Sequence, residues 1–172
     1  LNSADEQGLG ALLVLGGAGE RSSQLAATLM DYTDGDDLMR EGGGEAREYS
    51  RSGLPPPADH PIASRWQAFE ALGWRDASLR RSELWQWLTA DAAETGLNVN
   101  TAPLPVLQAI LGDRGRAEAI VRRRQSSPFT DIAEVEALTA GAARANGVTF
   151  TMTPGRAFRV QAVFGSHGPR HG

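Results

Sequence analysis

The sequence predicts an α+β chain that is mainly helical, and three observations carry that expectation. Asn2-Ser3-Ala4 and Asn100-Thr101-Ala102 each lead into apolar residues at helical spacing, so the chain reads as an internal repeat. Aromatic and aliphatic residues recur at helical spacing across residues 62–88. Near the C-terminal end the pattern turns to β-branched alternation, the mark of strands.

Each repeat reads as helix, tight turn, helix. In the first, Leu9, Leu12 and Leu13 line the opening helix, Gly16-Gly17-Ala18-Gly19 makes the turn, and Leu25, Leu29 and Met30 line the second helix. In the second copy the same places hold Leu107, Ile110 and Leu111, then Gly112-Asp113-Arg114-Gly115, then Ala117, Ile120 and Val121. Ser3 and Thr101 stand where a hydroxyl would cap the helix, and Pro103 falls near the first turn, where its missing N–H costs nothing. Pro128-Phe129-Thr130-Asp131 starts a further helix through Ile132, Val135 and Leu138, with Thr130 or Asp131 as its cap.

Residues 31–60, rich in Gly, Pro and acids and ending in Pro55-Pro56-Pro57, read as a long loop of the kind that is functional or disordered. Trp66, Phe69, Leu72, Trp74, Leu79, Leu84, Trp85 and Leu88 read as the core side of two helices parted near Gly73; a stacking platform for nucleic acid is the weaker alternative. Residues 148–152 and 157–163 read as two strands around Pro154-Gly155. The expected organisation is a helical part, 1–147, comprising repeat one (1–30), the acidic loop (31–60), helices (61–95) and repeat two (96–140). Strands follow in 148–165 and a polar tail in 166–172.

With 172 residues the chain can bury an ordinary core without staples. It has no cysteine, which excludes disulfides and thiolate metal sites. A net charge of -4 and a pI near 5.4 argue against a general nucleic-acid binder. All 17 basic residues are Arg, so Schiff-base and P-loop lysine chemistry are unavailable. No apolar run of about 18 residues is present to span a bilayer. Leu1 does not open a signal peptide. A start inside a motif and without Met is expected of a fragment whose missing front would be the place for an anchor or leader.

Seven acids stand against Arg40 and Arg47 between Asp31 and Ser50. Such crowding raises the cost of ionising each carboxylate unless a cation sits among them. Ca²⁺, which takes six to eight hard oxygens, is the natural candidate, and Asp34, Asp36 and Glu45 fall at the first, third and twelfth places of an EF-hand count. Leu38 and Met39 then occupy the fifth and sixth places, so this is not an EF-hand, and a solvated acidic loop remains the alternative. A second cluster, Arg114, Arg116, Arg122, Arg123 and Arg124, surrounds the second hairpin and resembles a helix-hairpin-helix nucleic-acid module, although Asp113 in the hairpin would repel phosphate. His60, His167 and His171 show no catalytic spacing, and the chain is expected not to be an enzyme.

Taken in order, Asn2-Ser3-Ala4, Asp31-Tyr32-Thr33-Asp34-Gly35-Asp36, Gly44-Glu45 with Tyr49, Ile62-Ala63, Leu97-Asn98-Val99-Asn100-Thr101-Ala102-Pro103 and Pro128-Phe129 resemble K-type minor pseudopilins of type II secretion systems. The resemblance implies two helix-hairpin-helix or SAM-like repeats in a helical insertion, with the closing strands completing a pseudopilin sheet. It implies a periplasmic domain on an inner-membrane anchor that lies outside this sequence, bound to I-type and J-type minor pseudopilins at the tip of a pseudopilus, where it starts or caps the fibre. It further implies Ca²⁺ in the acidic loop, with Asp34, Asp36 and Glu45 as ligands. The family often has an acid directly after that Glu; here Ala46 and Arg47 follow, so one ligand is either lost or supplied by Asp31, Asp37, Glu48 or a backbone carbonyl. The rival expectation is a helix-hairpin-helix DNA binder similar to competence DNA receptors, with Arg114, Arg116, Arg122 and Arg123 on phosphate.

Overall fold

The computed structural model describes residues 1–2, 4–75, 77–90, 96–142 and 149–153. Seven α-helices are present among them: α1 (Glu6–Leu15), α2 (Ser22–Thr33), α3 (Ala46–Arg51), α4 (Ala77–Arg81), α5 (Leu104–Leu111), α6 (Arg114–Ser126) and α7 (Ile132–Thr139). Short 3-10 helices cover Arg65–Glu70 and Glu83–Gln86. Two two-residue strands, β1 (Leu97–Asn98) and β2 (Phe150–Thr151), pair in parallel.

The helices gather into two adjoining cores. Leu9, Leu12 and Leu13 of α1 meet Leu25 and Leu29 of α2, and around them pack Tyr49, Ile62, Phe69, Trp74, Leu84 and Trp85. The second core joins Leu107 and Leu111 of α5, Ala117 and Ile120 of α6, Val135 of α7, and Val99 and Phe129 from the connecting segments. Helix α5 belongs to both, since Val106 faces the first core and Leu107 the second. Two consecutive helical residues lie about 100° apart, which lets one short helix serve two sides.

Both hairpins form as helix, turn, helix, but their caps differ from the sequence expectation. The cap of α1 is Asp5, whose carboxylate accepts from the Gly8 N–H at 2.6 Å; Ser3 lies outside the described residues. Thr101 is exposed, and α5 is capped by Pro103 without a side-chain hydrogen bond. Pro103 steers the residue before it, Ala102, away from helical geometry, so the helix starts too late for Thr101 to reach it. Of the two candidates for α7, Asp131 is the cap, accepting from Ala133 N–H at 2.9 Å.

Three further expectations change. Helix α2 continues through Thr33, so Asp31 is helical, and the acidic loop itself contains α3. In place of two regular helices, residues 65–86 hold two 3-10 turns and the five-residue α4, with Ser64 and Ser82 capping the turns. Trp66 is 52% exposed and so is not core; it stacks on Phe69 and Trp85, while Trp74 is fully buried and donates to Leu25 C=O at 2.8 Å. Of the expected strands, Phe150–Thr151 forms, and its partner is the Leu97–Asn98 segment at the front of the helix-start motif, where no strand is expected from sequence. Gly96 permits the approach, because a Cβ there would lie 2.4 Å from Thr151 Cγ2. The 157–163 strand, Pro154-Gly155 and the tail lie outside the described residues.

Candidate functional site

The acidic loop is built around Asp31. This residue is fully buried on α2, and the chain of residues 40–44 folds back over it. Its Oδ2 accepts from the backbone N–H groups of Arg40 (3.1 Å) and Gly44 (2.9 Å), and its Oδ1 accepts from the Arg40 guanidinium at 2.6 Å. The close wrap demands Gly43, where a Cβ would fall 1.9 Å from Asp31 Oδ2. The same Arg40 nitrogen also reaches Asp34 Oδ2, so one guanidinium bridges two carboxylates. Those two carboxylates hold the Arg40 charge well above the ordinary guanidinium range.

Glu45 enters from the N-terminal end of α3. Its backbone N–H donates to Glu48 Oε2 at 3.4 Å, and its own carboxylate is buried. Burial first, then the charges of Asp31, Asp34, Asp37 and Asp59, push its carboxyl up to about 7. Two oxygens in this loop, Asp34 Oδ1 and Glu45 Oε1, are buried with no hydrogen-bond partner. A buried unpaired acceptor costs free energy unless something else satisfies it.

Of the six residues expected as metal ligands, Asp31 and Asp34 meet on the Arg40 guanidinium, and Glu45 lies near enough to feel the charge of both. Asp36 is exposed, and its Oδ1 is taken by the Leu38 N–H at 2.8 Å. Asp37 is exposed and contributes charge alone, while Glu48 faces Arg51 at 3.4 Å. Among the described residues, no three acidic or imidazole side chains stand as a ready-made metal cluster. Asp59 and the bridging Arg40 were missed in the sequence. The unusual positive φ of Asp59, 53°, left no sequence signal, whereas Arg40, lying inside the acidic run, could have been read as its counter-charge.

The arginine cluster is differently disposed. Arg114 pairs with Glu118 at 2.8 Å, Arg122 with the same Glu118 at 3.6 Å, Arg116 with Asp113 at 3.5 Å, and Arg123 with Glu134. Arg124 donates to Val99 C=O at 2.8 Å, and burial lowers its pKa. At the start of α6, where a phosphate would dock, the Asp113 carboxylate already accepts from the Arg116 N–H at 3.0 Å. The hairpin therefore presents a capped helix end and acid-paired arginines.

The asparagines of the repeat are clamps. Asn100 accepts from Phe129 N–H at 2.7 Å and donates to Phe129 C=O at 3.0 Å. Asn2 treats Ile62 in the same way, at 3.0 and 2.9 Å. Each clamped residue follows a proline, Pro128 or Pro61. Asn98 turns the loop by accepting from Asn100 N–H at 2.9 Å and donates to Thr153 C=O at 2.8 Å.

Residues 97–152 match the family model described as type II secretion system (T2SS), protein K. Curated proteins yield no sequence match. Among solved structures, the chain is similar to one in the crystal structure of the GspK-GspI-GspJ complex from the enterotoxigenic Escherichia coli type 2 secretion system. The TM-score is 0.69 at 22% identity, and the match covers 84% of this chain. The chain corresponds to 54% of the length of that protein, about half of it.

Proposed function

From a chain that carries the type II secretion protein K pattern over residues 97–152 and the fold seen in the GspK-GspI-GspJ complex, we propose a minor pseudopilin whose work is assembly. The observation that carries this reading is the coincidence of two findings on one chain: a family match over residues 97–152 and a fold match that covers 84% of it. In this reading the two cores joined through α5 form a rigid head, and the head is too bulky for another subunit to stack above it, which makes it a tip. Its partners are I-type and J-type minor pseudopilins, it lies in the periplasm, and an inner-membrane anchor belongs to the longer protein. The two repeats are helix-hairpin-helix units of an insertion in a pseudopilin domain.

We further propose Ca²⁺ in the acidic loop. What supports this reading is a pair of buried, unpartnered carboxylate oxygens, Asp34 Oδ1 and Glu45 Oε1, of the hard kind that Ca²⁺ takes; since, among the described residues, no three acids stand as a cluster in the loop as it is folded here, an ion would have to draw Asp31, Asp34 and Glu45 together. The ion would supply charge neutralisation and order to a loop with little apolar material. These residues would hold it, and the wrap over Asp31 would position them.

The test is reconstitution. Mixed with the soluble domains of I-type and J-type minor pseudopilins, the chain should co-elute as a ternary complex on size exclusion; failure to form one with both partners would sink the assembly reading. DNA retention that weakens steeply with salt would instead revive the helix-hairpin-helix alternative, against which the acid-paired Arg114, Arg116, Arg122 and Arg123 argue.

A further inference from the structure

We infer that Leu38 and Met39 form a docking knob, and that its occupant is a partner protein with an apolar cleft rimmed by arginine or lysine. The inference goes beyond the assembly reading and needs no metal in the loop.

Among the described residues Leu38 is the most exposed large apolar side chain, at 78%, and its neighbour Met39 is 55% exposed. A lone exposed leucine is ordinary; two adjacent apolar side chains held in water by an anchored backbone are not. The anchors lie on both sides. Asp34 N–H closes α2 on Met30 C=O at 2.9 Å, and Arg40 N–H is fixed to the buried Asp31 carboxylate at 3.1 Å. Residues 35–39 alone run between those points, and Leu38 N–H is itself turned onto Asp36 Oδ1 at 2.8 Å. Turning Met39 inward would pull Arg40 off Asp31 and leave a buried acid short of partners. The pair is thus presented ready ordered, and a partner that buries it incurs no entropy loss for fixing a loop.

Charge selects the partner. Asp36, Asp37 and Glu41 are exposed around the pair, whereas Arg40, the one cation of residues 35–42, turns its guanidinium onto Asp31 and Asp34. The rim presented outward is therefore acidic. A basic rim on the partner complements it and speeds encounter. An anionic lipid surface is disfavoured, because its headgroups repel the same acids. A second copy is disfavoured as well, since its Arg114, Arg116, Arg122 and Arg123 are paired with its own acids. Methionine suits the contact: its unbranched side chain adapts to the shape of a cleft.

The experiment places a benzophenone amino acid at position 39 of the full protein, in the cells that make it, with the same probe at the exposed Gln125 of α6 as control. Ultraviolet light should join position 39, and not 125, to one protein, whose linked peptide, once sequenced, lies in an apolar cleft flanked by Arg or Lys. That partner, purified, should bind Leu38→Ser/Met39→Ser roughly 30-fold more weakly than the native chain, with the melting temperature of the variant unchanged. Asp36→Asn/Asp37→Asn, which keeps the acceptor for the Leu38 N–H, should weaken binding several-fold and flatten its salt dependence. An adduct with a second copy, with lipid or with a surface lacking basic residues would overturn the inference. So would the absence of any adduct beyond the Gln125 control, or a linked protein that binds Leu38→Ser/Met39→Ser as tightly as the native chain.

Discussion

Asn100 holds both backbone groups of Phe129, its carboxamide accepting from the N–H at 2.7 Å and donating to the C=O at 3.0 Å. A carboxamide is well suited to this, since it presents one acceptor and two donors side by side. Asn2 repeats the operation on Ile62. Replacing Asn100 by Ala strands both Phe129 groups, at a cost of about 1–3 kcal/mol for each buried group left unpaired. Asn100→Asp should also destabilise, since it keeps the acceptor but turns an acceptor-only carboxylate oxygen toward the Phe129 C=O. Chemical denaturation of the three proteins checks that both variants fall below the native chain.

Glu45 gives a pH signature in the absence of metal. Its carboxyl is raised from an ordinary 4.5 to about 7 by burial and by neighbouring charge. The folded state thus retains a proton that the unfolded chain has released, and its contribution to stability is complete below about pH 4.5 and lost as pH climbs through 7. Melting in EDTA should show the native protein losing stability across that window relative to Glu45→Gln, which keeps the shape without the charge. By pH 8 the variant should be the more stable of the two. Parallel curves for the two proteins would refute the assignment.

Gly43→Ala should disable the loop. A Cβ placed 1.9 Å from Asp31 Oδ2 forces the chain of residues 40–44 away from the carboxylate, so Asp31 loses partners while still buried. The expected loss is on the order of 1–3 kcal/mol. Urea unfolding reads it directly, and an unchanged midpoint would mean that the wrap is not needed.

The tryptophans should separate sharply. Trp74 is fully buried and hydrogen-bonded, so Trp74→Ala should cost about 3–5 kcal/mol. Trp66 is half-exposed, and Trp66→Ala should cost less than about 1.5 kcal/mol, the value of its stacking on Phe69 and Trp85. Thermal melts of the two variants test the contrast.

What the sequence made legible was the helical pattern: Leu9, Leu13, Leu25, Leu107, Ile120 and Val135 are all buried where periodicity put them. What it hid was the use of side-chain amides. Asn100 beside Thr101 looks like a helix-start signal because both residues favour such places, and only the position of Phe129, distant in sequence, reveals the clamp. Residues 65–86 misled for a related reason. Their apolar spacing is helical, but Ser64 and Ser82 cap short turns, and a chain of short turns buries Trp85 while leaving Trp66 at the surface. In the acidic loop, the crowding of carboxylates was readable from composition. Which of them converge was not, because it depends on a backbone that folds back over Asp31.

The parallel pair β1 and β2 has one more implication. Leu97 lies beside Phe150, and Asn2 touches Ala90 as well as Ile62, so residues 2 and 90, and again residues 97 and 150, stand close together. The chain is then two closed circuits in series. A segment whose ends meet can be spliced into a host loop, or removed from one, without prising the host apart. Each circuit thus has the geometry of a detachable cassette, and the first, which carries residues 34–60, is the longer of the two.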